Sequence, residues 1–191
     1  MKRTDIINLV GQLPEANLHL AGQRSLHQIT KIVVHHDAQL RPGKYNPAER
    51  YKEQARFHIR KNWGEVGKPP IPGFGLMYHL KMDGAGRVYQ CQPFTRPTWN
   101  SRGANWAALA ICIDGGDGQA PAPGQLQGLH ELLDLLCYHY PEFPAGRKDV
   151  WGHGELTAKR LRELSLPGPG NSTACPGLFL PYVQKYRNGE W

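Results

Sequence analysis

Residues 29–34, Ile-Thr-Lys-Ile-Val-Val, are β-branched and almost continuously apolar. A strand with apolar side chains on both faces belongs inside a sheet that is covered on both sides. A second strand of this kind, built from small apolar residues, runs over residues 107–113 and is closed by Asp114-Gly115-Gly116. Residues 76–82 and 87–92 read as two further strands around Asp83-Gly84-Ala85-Gly86, a hairpin signal. Val150-Trp151 reads as a short strand.

The covering helices are also legible. Asn46-Pro47 is a helix start ahead of residues 48–62, where Tyr51, Ala55, His58 and Ile59 share a face that Trp63 extends. Over residues 123–140, Leu126, Leu129, Leu132, Leu133, Leu136, Cys137 and Tyr140 follow the i, i+3, i+4 rhythm of one buried face. Shorter helices are expected at residues 4–10, with Ile6, Ile7 and Val10 on one face, and at residues 178–186. Strands and helices interleave in one unit. The expected fold is α/β: a single domain with a central mixed β-sheet flanked by helices on both faces. Residues 1–28 are expected to be an N-terminal extension packed on a domain spanning residues 29–191.

With 191 residues, 40% of them hydrophobic, the chain has the make-up of an ordinary globular domain. No apolar run approaches the roughly 18–20 residues of a membrane helix, so no membrane insertion is expected. The opening MKRTDIINLV reaches Gln12, Pro14 and Glu15 before any long apolar core, so no secretory signal is read there. The net charge of +7 fits an anionic partner, or solubility alone. The basic residues are scattered and match no nucleic-acid motif, so no nucleic acid is expected. Without a secretory signal, Cys91, Cys112, Cys137 and Cys175 are expected as thiols, metal ligands or nucleophiles, not disulfides.

Three features carry chemistry. His35-His36 ends the first buried strand, at the sheet edge where ligands bind in open α/β folds. Side chains alternate along a strand, so the two imidazoles point to opposite sides. In Gly152-His153-Gly154-Glu155 the glycines leave the imidazole accessible, and Glu155 is placed to accept from a ring N–H. Cys175 precedes Pro176-Gly177 at the mouth of a helix, where backbone N–H groups favour a thiolate. Two imidazoles and a thiolate, with a fourth position for water, are the composition of a catalytic zinc site. The same residues also admit a Cys-His nucleophilic dyad, which leaves the second histidine without a task.

Five segments occur in the order seen in zinc-dependent N-acetylmuramoyl-L-alanine amidases. They are Lys31-Ile-Val-Val-His35-His36, Tyr78-His79-Leu-Lys-Met-Asp83-Gly84, Asn105-Trp-Ala-Ala-Leu-Ala-Ile111, Gly152-His153-Gly154-Glu155 and Thr173-Ala174-Cys175-Pro176-Gly177. The chain resembles that family, which includes phage endolysins and peptidoglycan recognition proteins, over about residues 29–186. The resemblance implies one Zn2+ per chain held by His35, His153 and Cys175, with Tyr78 as the catalytic tyrosine. Thr173 matches a position that is lysine or threonine in active members. The implied reaction is hydrolysis of the amide between the lactyl group of N-acetylmuramic acid and L-alanine of the stem peptide. The implied partner is bacterial peptidoglycan. Compact size, with no secretory signal and no separate wall-binding module read, adds the expectation of a monomeric phage-type endolysin, made in the cytoplasm and acting on the cell wall after release.

His36, His79, Asn100 and Glu155 are expected as supporting or substrate-binding positions. Asn100, in Trp99-Asn100-Ser101-Arg102-Gly103, stands where many members carry histidine, and His36 competes with His35 as a ligand. Residues 156–172 lengthen the interval between His153 and Cys175 and are expected to add a helix and turn. Two rival readings remain, a non-hydrolytic recognition module and a cytoplasmic muropeptide-recycling amidase. Recognition modules commonly lose the cysteine and recycling enzymes carry aspartate there, whereas this chain has Cys175.

Overall fold

The computed structural model describes residues 1–2, 5–41, 43–63, 69–163 and 173–191. Six strands among these residues form one sheet: β1 (Ile7–Asn8), β2 (Lys31–His36), β3 (Leu80–Met82), β4 (Val88–Gln90), β5 (Ala108–Ile113) and β6 (Val150–Gly152). Their spatial order is β1-β4-β3-β5-β2-β6. β3 and β4 form the antiparallel hairpin, and the other neighbours run parallel. Among the described residues, four α-helices complete the fold: α1 (Pro47–Arg60), α2 (Pro123–Tyr138), α3 (His153–Glu163) and α4 (Leu180–Asn188).

The two apolar sequences become the sheet centre, with β2 and β5 paired from Lys31↔Ala108 to His36↔Ile113. One face carries Ile32, Val34, Leu80, Leu109 and Ile111 against Leu129, Leu132, Leu133 and Leu136 of α2 and Val183 of α4. Each of those fully buried leucines contributes roughly 1.5–3 kcal/mol through the water it leaves. On the opposite face Val33 meets Leu156 of α3, while Tyr51 and Ala55 of α1 pack with Leu76, Tyr89 and Cys91. The sheet is thus covered on both faces, as its apolar strands require. Gly128 brings α2 onto the hairpin turn: a Cβ there would stand 2.4 Å from the Gly86 carbonyl oxygen. Among the described residues, no helix is long and apolar enough to cross a membrane.

The N-terminal residues depart from expectation. Ile7–Asn8 is a strand, not part of a helix, and pairs with Tyr89 and Gln90. The Leu9 N–H donates to the Gln90 carbonyl at 2.8 Å, and Leu9 and Leu13 are the buried residues. A helix ended by Gly11, at φ 75°, would have under two turns, too few to sustain itself, whereas β4 offers open backbone groups. Arg24 is also drawn into the unit: its guanidinium is buried and donates to the carbonyls of Phe94, Trp106 and Ala108. Of the long interval after His153, residues up to Glu163 belong to α3 and residues 164–172 lie outside the described set.

Candidate metal centre

Three sequence-distant side chains meet at the carboxyl end of β2. His35 is in register with Cys112 of β5, and Lys81 of β3 with the same cysteine, so all three point to the α1 and α3 face. β6 lies beside β2 and hands directly into α3, whose first residue is His153. His153 is therefore a helix-start residue. Its flanking glycines serve close packing: a Cβ on Gly154 would stand 2.2 Å from the Thr173 carbonyl oxygen, and one on Gly152 would meet Leu180 and Pro176. Without those side chains the 173–176 segment can lie on the first turn of α3, where the Gly154 N–H donates to the Cys175 carbonyl at 2.9 Å.

The Cys175 sulfur is 3.8 Å from His35 Nδ1, and the His35 and His153 ring centroids are 4.4 Å apart. One ligand atom from each of His35, His153 and Cys175 lies within 4.8 Å of the others. Zn–S and Zn–N bonds of about 2.3 and 2.0 Å at a tetrahedral angle put sulfur and nitrogen about 3.5 Å apart, close to the separation here. Burial, helped by His153, holds the His35 pKa well below 6.5, and burial with the neighbouring His36 pushes His153 down to about 4. Both imidazoles are neutral at pH 7, the form that coordinates a metal. Burial pushes the Cys175 thiol up to about 12, and the His36 backbone N–H points at its sulfur from 3.4 Å. A thiolate–imidazolium dyad is thus disfavoured at both partners, whereas a soft donor set of two imidazoles and one sulfur suits zinc.

Tyr78 lies two residues before β3, its ring 5.2 Å from that of His35 and 5.6 Å from that of His58. Burial raises its pKa well above 10, so it stays a phenol. His79, expected as a supporting or substrate-binding position, is fully buried and cannot meet a substrate. Its Nδ1 accepts from the Ala110 N–H at 3.0 Å, so Nε2 carries the proton and donates to the Arg96 carbonyl at 2.9 Å. Burial and the nearby Arg24 push its pKa down to about 3. His79 is a structural anchor for the tyrosine beside it.

His36 turns the other way, its Nε2 2.6 Å from the Asp117 carboxylate, and takes no part in the ligand cluster. Asn100 stands 3.3 Å from His35 Nε2 through its amide oxygen. Thr173 is exposed, and its hydroxyl oxygen accepts from the Cys175 N–H at 3.2 Å. Glu155 departs from its expected place beside a histidine ring. Its carboxylate accepts from the Gly152 N–H at 3.1 Å and from Gln184 and Arg187 of α4, two donors that pull it away from the cluster.

Sequence reasoning missed the floor of this site. Lys81 is fully buried beneath Tyr78, 5.8 Å from its ring centre, with Nζ 3.3 Å from both Asp37 and Cys112. Arg50 of α1 binds Asp37 at 2.9 Å, and the Tyr45 and Tyr51 hydroxyls donate to Asp114. Burial lowers the Lys81 pKa, but Asp114, Cys112 and Asp37 outweigh it and hold the ammonium charged. The available signal was a lysine between two apolar residues of a strand, with acids placed directly after β2 and β5.

The sequence profile of a family described as N-acetylmuramoyl-L-alanine amidase matches residues 25–178. Among solved structures, the chain is similar to the N-acetylmuramoyl-L-alanine amidase LysC from Clostridium intestinale URNW. The identity is 18% and the TM-score 0.65, over 96% of this chain and 95% of that one. It is also similar to Drosophila peptidoglycan recognition protein SD, at 15% identity and a TM-score of 0.65 over 94% of each chain. A third similar structure is peptidoglycan recognition protein LE in complex with tracheal cytotoxin, at 16% identity and a TM-score of 0.66, covering 95% and 93% of the two chains. At these identities the likeness is one of fold. No curated protein matches the sequence.

Proposed function

Because the chain belongs to the N-acetylmuramoyl-L-alanine amidase family, we propose that it is a zinc-dependent peptidoglycan hydrolase. The bond cut is the amide between the lactyl group of N-acetylmuramic acid and L-alanine of the stem peptide. The observation that carries this reading is the convergence of His35, His153 and Cys175 beside Tyr78. Those three residues would hold the ion, one per chain. Zinc bound there supplies a Lewis acid for the amide carbonyl and a water acidified to a pKa of about 7.

The protein's own groups do the rest. The Tyr78 phenol donates to the carbonyl oxygen as negative charge develops on it. Thr173 adds a second donor: its oxygen is engaged by the Cys175 N–H, which leaves the hydroxyl hydrogen free to turn toward substrate. An uncharged hydroxyl gives no Coulombic assistance, so the larger share of oxyanion stabilisation falls on Tyr78. His79 keeps Tyr78 in place without entering the chemistry.

An endolysin role, with synthesis in the cytoplasm and action on the wall after release, is part of the same proposal. It is supported by four free thiols and by an endolysin amidase from Clostridium intestinale among the similar structures. A second reading, recognition without hydrolysis, is favoured by the recognition proteins among those structures, one of them in complex with a monomeric diaminopimelic acid-type peptidoglycan. The complete donor set argues for hydrolysis.

The test is to digest purified sacculi, count new L-alanine amino termini, and measure zinc by elemental analysis. One zinc per chain and new termini are expected, both lost in Cys175→Ser. Zinc without new termini would transfer the case to recognition.

A further inference from the structure

We propose that Asn100 is a positioning residue for the metal centre: its amide oxygen holds His35 in the Nε2-protonated tautomer and so presents Nδ1 toward Cys175. This rests on the reading of His35, His153 and Cys175 as metal ligands.

The orientation of the amide is fixed by its other end. Asn100 Nδ2 donates to the Thr98 carbonyl at 2.9 Å and to the Thr98 hydroxyl oxygen at 2.8 Å. The atom turned to His35 Nε2, at 3.3 Å, is therefore Oδ1, which can only accept. The ring nitrogen must bring the hydrogen. A flipped amide would set Oδ1 against the Thr98 carbonyl oxygen, acceptor against acceptor, and lose the 2.9 Å bond that fixes this end.

With Nε2 protonated, the lone pair of His35 is on Nδ1, the atom 3.8 Å from the Cys175 sulfur. The loop that carries Asn100 is itself clamped. The Asn105 side-chain oxygen accepts the N–H groups of Asn100 at 2.9 Å and Ser101 at 2.6 Å, and Thr98 is fully buried. The constraint thus passes from Asn105 to the loop, from Thr98 to the amide, and from the amide to the ring. Metal-bound histidines generally give their other N–H to such an acceptor, and here a neutral amide fills the place.

The experiment measures zinc affinity by chelator competition, and ring 15N spectra of His35 in the metal-free protein, for wild type, Asn100→Ala and Asn100→Asp. Asn100→Ala is expected to bind zinc about 10–100-fold more weakly and to show a mixture of His35 tautomers. Asn100→Asp keeps an acceptor and is expected to keep the Nε2-protonated ring and near wild-type affinity. An unchanged tautomer and unchanged affinity in Asn100→Ala overturn the proposal. A wild type that binds no zinc removes the metal-centre reading alone, and the 15N spectra still decide whether Asn100 sets the tautomer.

Discussion

Lys81 Nζ lies 2.8 Å from Asp114 Oδ1, and neither side chain is exposed at all. With Asp37 and Arg50 the pair makes a set of two carboxylates and two cations under the site, balanced in charge where water cannot compensate. Replacing Lys81 by methionine leaves two buried carboxylates facing one guanidinium. The expected loss is about 3–5 kcal/mol in urea unfolding. A loss below about 1 kcal/mol would mean that the cluster does not hold the floor.

Tyr78→Phe removes one hydroxyl and little packing. The variant is expected to fold, to bind zinc as wild type does, and to lose about 10²-fold or more in kcat with KM little changed. Steady-state hydrolysis of a soluble muropeptide checks this, and full activity would remove Tyr78 from the reaction.

Acid should weaken the fold in a definite window. Burial pushes His58 and His79 down to about 3, below the unfolded value of about 6.5. Above pH 6.5 both states are neutral and the groups contribute no slope. Below it the unfolded chain takes up protons that the fold refuses, so stability declines toward pH 3 by about 1.4 kcal/mol per pH unit for each histidine. In His58→Asn the amide oxygen can still accept from the Met77 N–H, which His58 Nδ1 receives at 3.1 Å. Unfolding free energies between pH 6.5 and 4.5 should then show one histidine's slope fewer.

The net charge of +7 is expected to act at long range. Attraction to an anionic envelope is screened by salt over about 10 Å at 0.1 M, whereas the chemistry inside the site is not. Lysis of whole sacculi should slow as salt is added, while hydrolysis of a small soluble muropeptide stays nearly constant. Equal salt dependence of the two rates would assign the charge to solubility.

Continuous apolar character made β2 and β5 legible, and the leucine rhythm made α2 legible, because both patterns record burial locally. His35, His153 and Cys175 were legible for a different reason: each sits in a short motif whose ligand chemistry is local, whereas Tyr78 stood out only through the family resemblance. The misreadings share one cause. At residues 4–10 the outcome depended on an open edge 80 residues away, and at Gly152 and Gly154 on a segment arriving from residues 173–176. Lys81 looked like an ordinary strand lysine because its partners come from residues 37, 50 and 114. Long-range partners leave no periodicity to read.

β6 is three residues long and, among the described residues, is bonded to β2 on one side only, with His153 directly after its carboxyl end. Such an edge opens locally at a lower free-energy cost than unfolding of the sheet centre. Opening there would carry His153 away with β6 and α3, while His35 stayed in its register with β5. The three-residue cluster is then expected to come apart before the domain that carries it. A ligand bridging the two histidines would lengthen its life, and slowed amide hydrogen exchange at Val150, Trp151 and Gly152 would record that without any turnover.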